Sequence, residues 1–434
     1  MKKMIKIRLL IKRLVGGIHC SQRMTTRPKH VVCIVGLAGF TFVSLASIDT
    51  WDLIWEDYFD RGSYDAFRRI AAAEGRVFAI GPTITEGRYD MGIRVYNATD
   101  GDPIWQHYFD RVGDDDEPTD VAVAGGRVFV TGFTTKEDGN KSITILSYGI
   151  DNGTLLWEKH FNQAERCAAS AYGVAADGER VFVGGISSTC GINLFTVLAY
   201  RAEDGTLSWS NFLRRDSLGR DLEGGTVVWG GRSVIVHDSK VFAVGGNHYD
   251  NKTRFSIVAY RAEDGEVIWD CHFPLNNKDP DLPNLHPNIF GGEANCVAAE
   301  GNRVFVGGVT HFNGTGRYFS VLAFDASNGT LLWQNHFDRA GGYEVVRNLA
   351  VGWGRVFAVG LTTNSRGDWD FTIRAYRETD GELLWEDYLD LAGGKDMAND
   401  VAVVGTQVIV VGEATDANGT LKFVVRAYSL DGTL

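Results

Sequence analysis

The residues of this chain best suited to chemistry are carboxylates. Asp65, Asp116, Glu117, Glu293, Glu344 and Asp396, with Asp120 and Asp400 a few residues further on, stand at the entries to short runs of small and β-branched residues. Carboxylate oxygens drawn together from several such runs are the ligands that calcium takes, so calcium is the one cation the sequence supports. His160, His272 and His336 each stand three residues after a Trp, where Tyr58, Tyr108 and Tyr388 stand elsewhere. Exchange with tyrosine points to packing rather than to a converging ligand set. Beyond residue 46 the cysteines are Cys167, Cys190, Cys271 and Cys296. No Cys-x-x-Cys spacing supports a zinc site. Gly-x-Ser-x-Gly, His-Glu-x-x-His and phosphate-loop patterns are also missing, so the expectation leans away from an enzyme, with no catalytic residues assigned.

What must position these groups is a repeat. Trp55, Trp105, Trp157, Trp209, Trp269, Trp333 and Trp385 follow one another at intervals of 50 to 64 residues. All but Trp55 have a Gly four residues earlier, and Gly432 begins the same pattern just before the chain ends at Leu434. A period of this size marks propellers and solenoids. Within one repeat, Asp120–Ala124, Arg127–Gly132, Ser142–Tyr148 and Thr154–Phe161 are four short strands, called a to d, separated by Gly125-Gly126, a polar loop and Asp151-Asn152-Gly153. Short β-branched and aromatic runs punctuated by such pairs read as antiparallel hairpins. Nothing in 51–434 carries a sustained helical period, so the body is expected to be all-β.

The two ends complement each other. Leu53–Phe59 matches strand d of the later repeats, while the C-terminus supplies a, b and c near 400–404, 407–412 and 422–429. The expectation is a seven-bladed β-propeller of four-stranded antiparallel blades, its last blade closed by the N-terminal strand d, which leaves no open edge. Truncation of a longer array is the competing reading.

The stretch Ala323-Phe-Asp-Ala-Ser-Asn-Gly-Thr-Leu-Leu-Trp333 resembles the tryptophan-docking repeat of quinoprotein-like (pyrroloquinoline quinone-like) β-propellers. Degenerate copies run from Ala199 to Trp209, Ala259 to Trp269 and Ala375 to Trp385, with Arg201, Arg261 and Arg377 in place of the Asp. The resemblance implies that each Trp stacks on a Gly-containing turn of the next blade. It also raises a quinone-dependent alcohol or sugar dehydrogenase as an alternative. Such enzymes commonly have eight docking repeats and an adjacent Cys pair, neither of which is present here, so the quinone is not expected as a cofactor.

Residues 1–46 differ in kind. They hold nine basic and no acidic residues, then the apolar run Val31–Val43 and the small residues Ser44-Leu45-Ala46. That order is a secretory signal, with Met24 as an alternative start, and 47–434 forms the single propeller domain. An uncleaved anchor is the alternative, and only then would a membrane be a partner. Export to a periplasmic, extracellular or cell-surface location follows. The whole chain carries −12, and loss of the leader makes it more negative, so nucleic acid is not an expected partner.

Export also permits disulfides. Cys167 and Cys190 fall in loops of one face and could pair; Cys271 and Cys296 suit buried thiols or a bridge equally well. Two connections are longer than the rest: 210–232, with Arg214, Arg215, Asp216 and Trp229, and 274–293, which holds Pro274, Pro280, Pro283, His286 and Pro287. Long loops on a rigid scaffold are where recognition takes place. The functional expectation is therefore an exported, monomeric binding or scaffold protein that offers these loops to a protein or glycan partner, without a resident cofactor unless it binds calcium.

Overall fold

The computed structural model describes residues 35–37, 40–42, 69–85, 87–111, 115–164, 167–188, 193–213, 229–249, 252–273, 289–312, 316–404, 407–419 and 421–429. The chain divides into two units, Met1–Glu56 and Asp57–Leu434. In the first, β1 (Val35–Leu37) and β2 (Phe40–Phe42) pair as a small hairpin.

The second unit is a seven-bladed β-propeller without helices among the described residues. Blade 1 holds β3 (Arg69–Ala73), β4 (Arg76–Thr85), β5 (Arg88–Asn97) and β6 (Pro103–Phe109). Blade 2 holds β7 (Glu117–Ala124), β8 (Arg127–Thr135), β9 (Lys141–Gly149) and β10 (Leu155–Phe161). Blade 3 holds β11 (Ala169–Ala176), β12 (Arg180–Ser188), β13 (Asn193–Arg201) and β14 (Leu207–Leu213). Blade 4 holds β15 (Trp229–His237), β16 (Lys240–Tyr249), β17 (Lys252–Arg261) and β18 (Val267–Phe273). Blade 5 holds β19 (Ile289–Glu300), β20 (Arg303–Phe312), β21 (Arg317–Asp325) and β22 (Leu331–Phe337). Blade 6 holds β23 (Val345–Gly352), β24 (Arg355–Thr363), β25 (Trp369–Arg377) and β26 (Leu383–Leu389). Blade 7 is described by β27 (Met397–Val404), β28 (Gln407–Thr415) and β29 (Leu421–Ser429). The expected closing strand, Leu53–Phe59 with Trp55, lies outside the described residues.

The blades are antiparallel meanders in which sequence neighbours pair. First strands of adjacent blades contact one another, as β7 does with β11 and β19 with β23, so strand a is innermost and strand d outermost. One face of the ring therefore carries the b-to-c loops and the d-to-a connections, and the opposite face carries the a-to-b and c-to-d turns.

Two sequence features drive this packing. In strand d the residue before the Trp forms a β-bulge, so Ala323 pairs with Trp333 but Phe324 pairs with Leu331. The bulged Leu332 turns outward and is 42% exposed, while Trp333 is swung into the groove towards the next blade, where it is 8% exposed. A bulge re-aims side chains in this way. The second feature is a glycine in the middle of strand b. A Cβ on Gly360 would lie 1.9 Å from the carbonyl oxygen of Val345, and one on Gly308 would lie 2.0 Å from that of Glu293. Only Gly lets strand a bulge against strand b there.

Trp209, Trp269, Trp333 and Trp385 each sit between two aromatic rings. Trp209 lies 6.0 Å from Phe182 of its own blade and 6.0 Å from Tyr260 of the next. The core is consequently a succession of clusters that join neighbouring blades, such as the one that joins Phe242, Phe255 and Trp269 to Val304, Val306 and Phe324. Burial of one such large aromatic is worth roughly 2–3 kcal/mol, so the inter-blade clusters make the ring a stiff platform for its loops.

Candidate functional site

The docking residues behave as the resemblance implies. The indole nitrogens of Trp105, Trp157, Trp209 and Trp269 donate to the carbonyls of Ile150, Ala202, Ala262 and Ala326 at 2.9, 2.9, 3.0 and 3.1 Å. Each of these carbonyls belongs to the c-to-d turn of the following blade. A Cβ added to the Gly of that turn would strike the indole, at 2.4 Å for Gly153 over Trp105. Trp333 makes the same contact and Trp385 stacks on Tyr428 at 5.5 Å.

The carboxylates separate into two structural groups. Asp116, Glu344 and Asp396 are buried and hold equivalent positions in three blades. Asp116 accepts from the backbone amides of Arg111 at 2.8 Å and Thr135 at 2.9 Å, and Asp396 accepts from those of Leu391 at 2.7 Å and Thr415 at 2.6 Å. Glu344 accepts from the amide of Thr363 at 3.2 Å. Each thus clamps its own d-to-a connection to the end of its own strand b. Burial raises Asp116 to about 6 and Glu344 to about 7. Asp120 and Asp400 join neighbouring inner strands, Asp120 by accepting from the amide of Val174 at 2.9 Å and Asp400 by accepting from the side-chain amide of Asn348. Burial raises Asp120 to about 6. Glu293 pairs with Arg232 at 3.4 Å, and Glu117 is half-buried within β7. Among the described residues no three His, Cys, Asp or Glu side chains gather as a metal would require. Asp65 lies outside the described residues.

His272 forms what looks like a catalytic triad. Its Nδ1 is 2.9 Å from Ser256 Oγ and its Nε2 is 3.0 Å from Asp270 Oδ2. Sister blades show what the arrangement is for. His336 stands 2.9 Å from Ser320 Oγ and 2.8 Å from Gln334 Oε1, and His160 stands 2.9 Å from Thr144 Oγ1 with Glu158 at 3.6 Å. A uniform clip joins strand c to strand d, and Gln334 fills the acid's place without loss of the geometry. Ser256 is 0% and His272 2% exposed, so no substrate reaches them. Burial, followed by the nearby Arg111, lowers the His160 pKa.

Of the expected rim, Arg214, Arg215, Asp216 and His286 lie outside the described residues. Trp229 does not belong to the loop: it opens strand β15 and pairs with Gly246, because strand a of blade 4 extends further back than its composition suggests. Cys167 is disulfide-bonded, and its expected partner Cys190 lies outside the described residues. Cys271 and Cys296 are buried thiols.

The sequence reading missed one arrangement on the b-to-c and d-to-a face. Tyr343 and Trp369 stack at 5.5 Å with an interplanar angle of 24°. Arg317 lies over the Tyr343 ring at 4.4 Å from its centroid, and Lys395 over the Trp369 ring at 4.8 Å. Arg317 and Trp369 are the first residues of strand c in blades 5 and 6, and Tyr343 and Lys395 immediately precede the clamps Glu344 and Asp396. The four come from two repeat positions in alternation, 26 residues apart.

Fold and docking residues together define a tryptophan-docked propeller of the PQQ-like class. The chain belongs to the family described as outer membrane protein assembly factor BamB, which matches residues 89–270 and 253–427. Among solved structures it is similar to a europium-containing methanol dehydrogenase at 11% identity and a TM-score of 0.51, over 81% of this chain and 73% of that one. It is also similar to BamB from Moraxella catarrhalis at 14% identity and a TM-score of 0.45, over 84% and 94%. Such likeness speaks to the fold alone. No curated protein matches the chain.

Proposed function

We propose that this protein is an exported, non-catalytic docking propeller that presents its b-to-c and d-to-a face to a protein partner in the assembly of envelope proteins. The observation that carries this reading is the family match over two long stretches of the propeller, to a family described as an assembly factor for outer membrane proteins. Physical features agree with it. Asp116 and Asp396 are spent on backbone clamps, and the Ser256-His272-Asp270 arrangement is sealed inside a blade. Arg317, Tyr343, Trp369 and Lys395 are grouped on the b-to-c and d-to-a face, and Tyr, Trp and Arg are the residues that dominate protein interfaces. The basic leader ending in Ser44-Leu45-Ala46 supports export.

The reading is tested by purifying the tagged protein from the envelope fraction and identifying what remains bound after mild crosslinking. A reproducible envelope-protein partner is expected, and it should be lost when 214–228 and 274–288 are both replaced by short Gly-Ser linkers in a variant of unchanged far-ultraviolet circular dichroism. Retention of the same partner by that variant would move the docking surface elsewhere. Recovery of the protein only from the cytoplasm would remove the proposal.

A further inference from the structure

The cation-flanked stack of Tyr343 and Trp369 specifies more than a face. Its chemistry is not dictated by the repeat. At the same two positions nearer the N-terminus stand Tyr89 and Asp115, where the Tyr89 amide donates to Asp115 Oδ1 at 3.1 Å. Between blades 5 and 7 the acid has been replaced by Tyr343 and Lys395, and the strand-c residue by Arg317 and Trp369. Among the described residues neither Arg317 nor Lys395 forms an ion pair with a carboxylate. Nearby acids are already engaged: Asp368 and Asp390 by Arg366, and Glu344 and Asp396 by backbone amides. Arg317 and Lys395 are exposed, and Tyr343 is 37% exposed. On a chain of net charge −12, these cations form a local exception.

We propose that Arg317, Tyr343, Trp369 and Lys395 form the recognition site for an extended, carboxylate-bearing polypeptide segment of the partner, lying across blades 5 to 7. This rests on the protein-docking function proposed above and names its chemistry. Charge complementarity selects the occupant. Two cations held apart by a stacked aromatic pair match acidic side chains spaced along an extended strand, whereas a sugar needs an open ring face, and here each ring is flanked by the other ring and by a cation. Lateral contact with the ring edges supplies apolar area, and the cations supply orientation and speed of encounter.

The test uses the full chain and a probe of defined chemistry: an acetylated, amidated octapeptide alternating Glu and Gly, immobilised through a biotin linker, with its Lys-Gly counterpart and heparin as controls. Wild-type protein is expected to bind the Glu-Gly peptide, and binding should weaken roughly ten-fold in Arg317→Glu/Lys395→Glu and also in Tyr343→Ala. Arg201→Glu/Arg261→Glu, on the opposite face, should bind as wild type does. Melting temperatures of all variants establish that they fold. No binding by the wild type, equal binding by Arg317→Glu/Lys395→Glu, or preference for the Lys-Gly peptide would overturn the proposal. Binding of heparin but not of the peptide would also overturn it and assign the stack to sulfated glycan. A partner captured from the envelope equally well by Arg317→Glu/Lys395→Glu would sink this inference while leaving the docking function standing.

Discussion

Trp333 and Glu378, 45 residues apart, are joined by a hydrogen bond in which the indole nitrogen donates to the backbone carbonyl at 2.9 Å. That bond fastens blade 5 to blade 6, and Gly381 in the same turn gives the indole room. Trp333→Phe keeps most of the buried area but leaves the carbonyl without its donor, at a cost of about 1–2 kcal/mol. Trp333→Ala should cost about 3–5 kcal/mol. Urea titration followed by tryptophan fluorescence and circular dichroism measures both.

Gly381→Ala should be as damaging as its size is small. Its φ is +72°, a region that an L side chain rarely adopts, and the new Cβ would lie 2.5 Å from the Trp333 ring. Strain and clash together predict a loss of about 2–3 kcal/mol. The same substitution at Gly367, also at positive φ but with open space around it, should cost less. Equal losses at the two sites would show that docking contributes nothing beyond backbone strain.

The clamps predict a pH dependence. Glu344 titrates near 7 and Asp116 near 6 in the folded protein, against ordinary values of 4.5 and 3.8, because burial disfavours the carboxylate. Folding therefore tightens proton binding at both groups. The stability they contribute is fully present below about pH 4 and is lost as pH rises through 6 and 7. Glu344→Gln keeps an acceptor for the Thr363 amide and carries no charge, so it should flatten the decline in melting temperature between pH 5 and 8. A variant that follows the wild-type profile would assign the decline to other groups.

His272 and Ser256 should prove inert towards substrates and important for stability. A fluorophosphonate probe is expected to leave Ser256 unlabelled in the folded protein. Ser256→Ala should cost about 1–2 kcal/mol because it strips the buried imidazole of a partner. Labelling of Ser256 at a rate comparable with that of an active serine hydrolase would reverse this assignment.

Much of this architecture could be read from the sequence because it repeats. The Trp spacing, the Gly four residues earlier and the Asn and Asp turns each state the same local instruction several times, and the resemblance supplied the docking partner. The need for glycine in the middle of strand b, at Gly308 and Gly360, was not legible, since close backbone approach leaves no mark in composition. That carboxylates such as Asp116 and Asp396 accept from backbone amides was not legible either, because no residue type announces such a partner. The Tyr343–Trp369 stack was invisible for a different reason. Its members come from four segments between 317 and 395, and only the meander of strands brings the beginning of one strand c beside the connection to the next blade.

The most direct measurement of the central claim is site-specific photocrosslinking in cells. A benzoylphenylalanine placed at Tyr343, on the b-to-c and d-to-a face, is compared with one at Trp353, which is 58% exposed on an a-to-b turn of the opposite face. Docking through the first face predicts a discrete crosslinked envelope protein from position 343 and none from position 353. Adducts from 353 alone, or the same adduct from both positions, would contradict it.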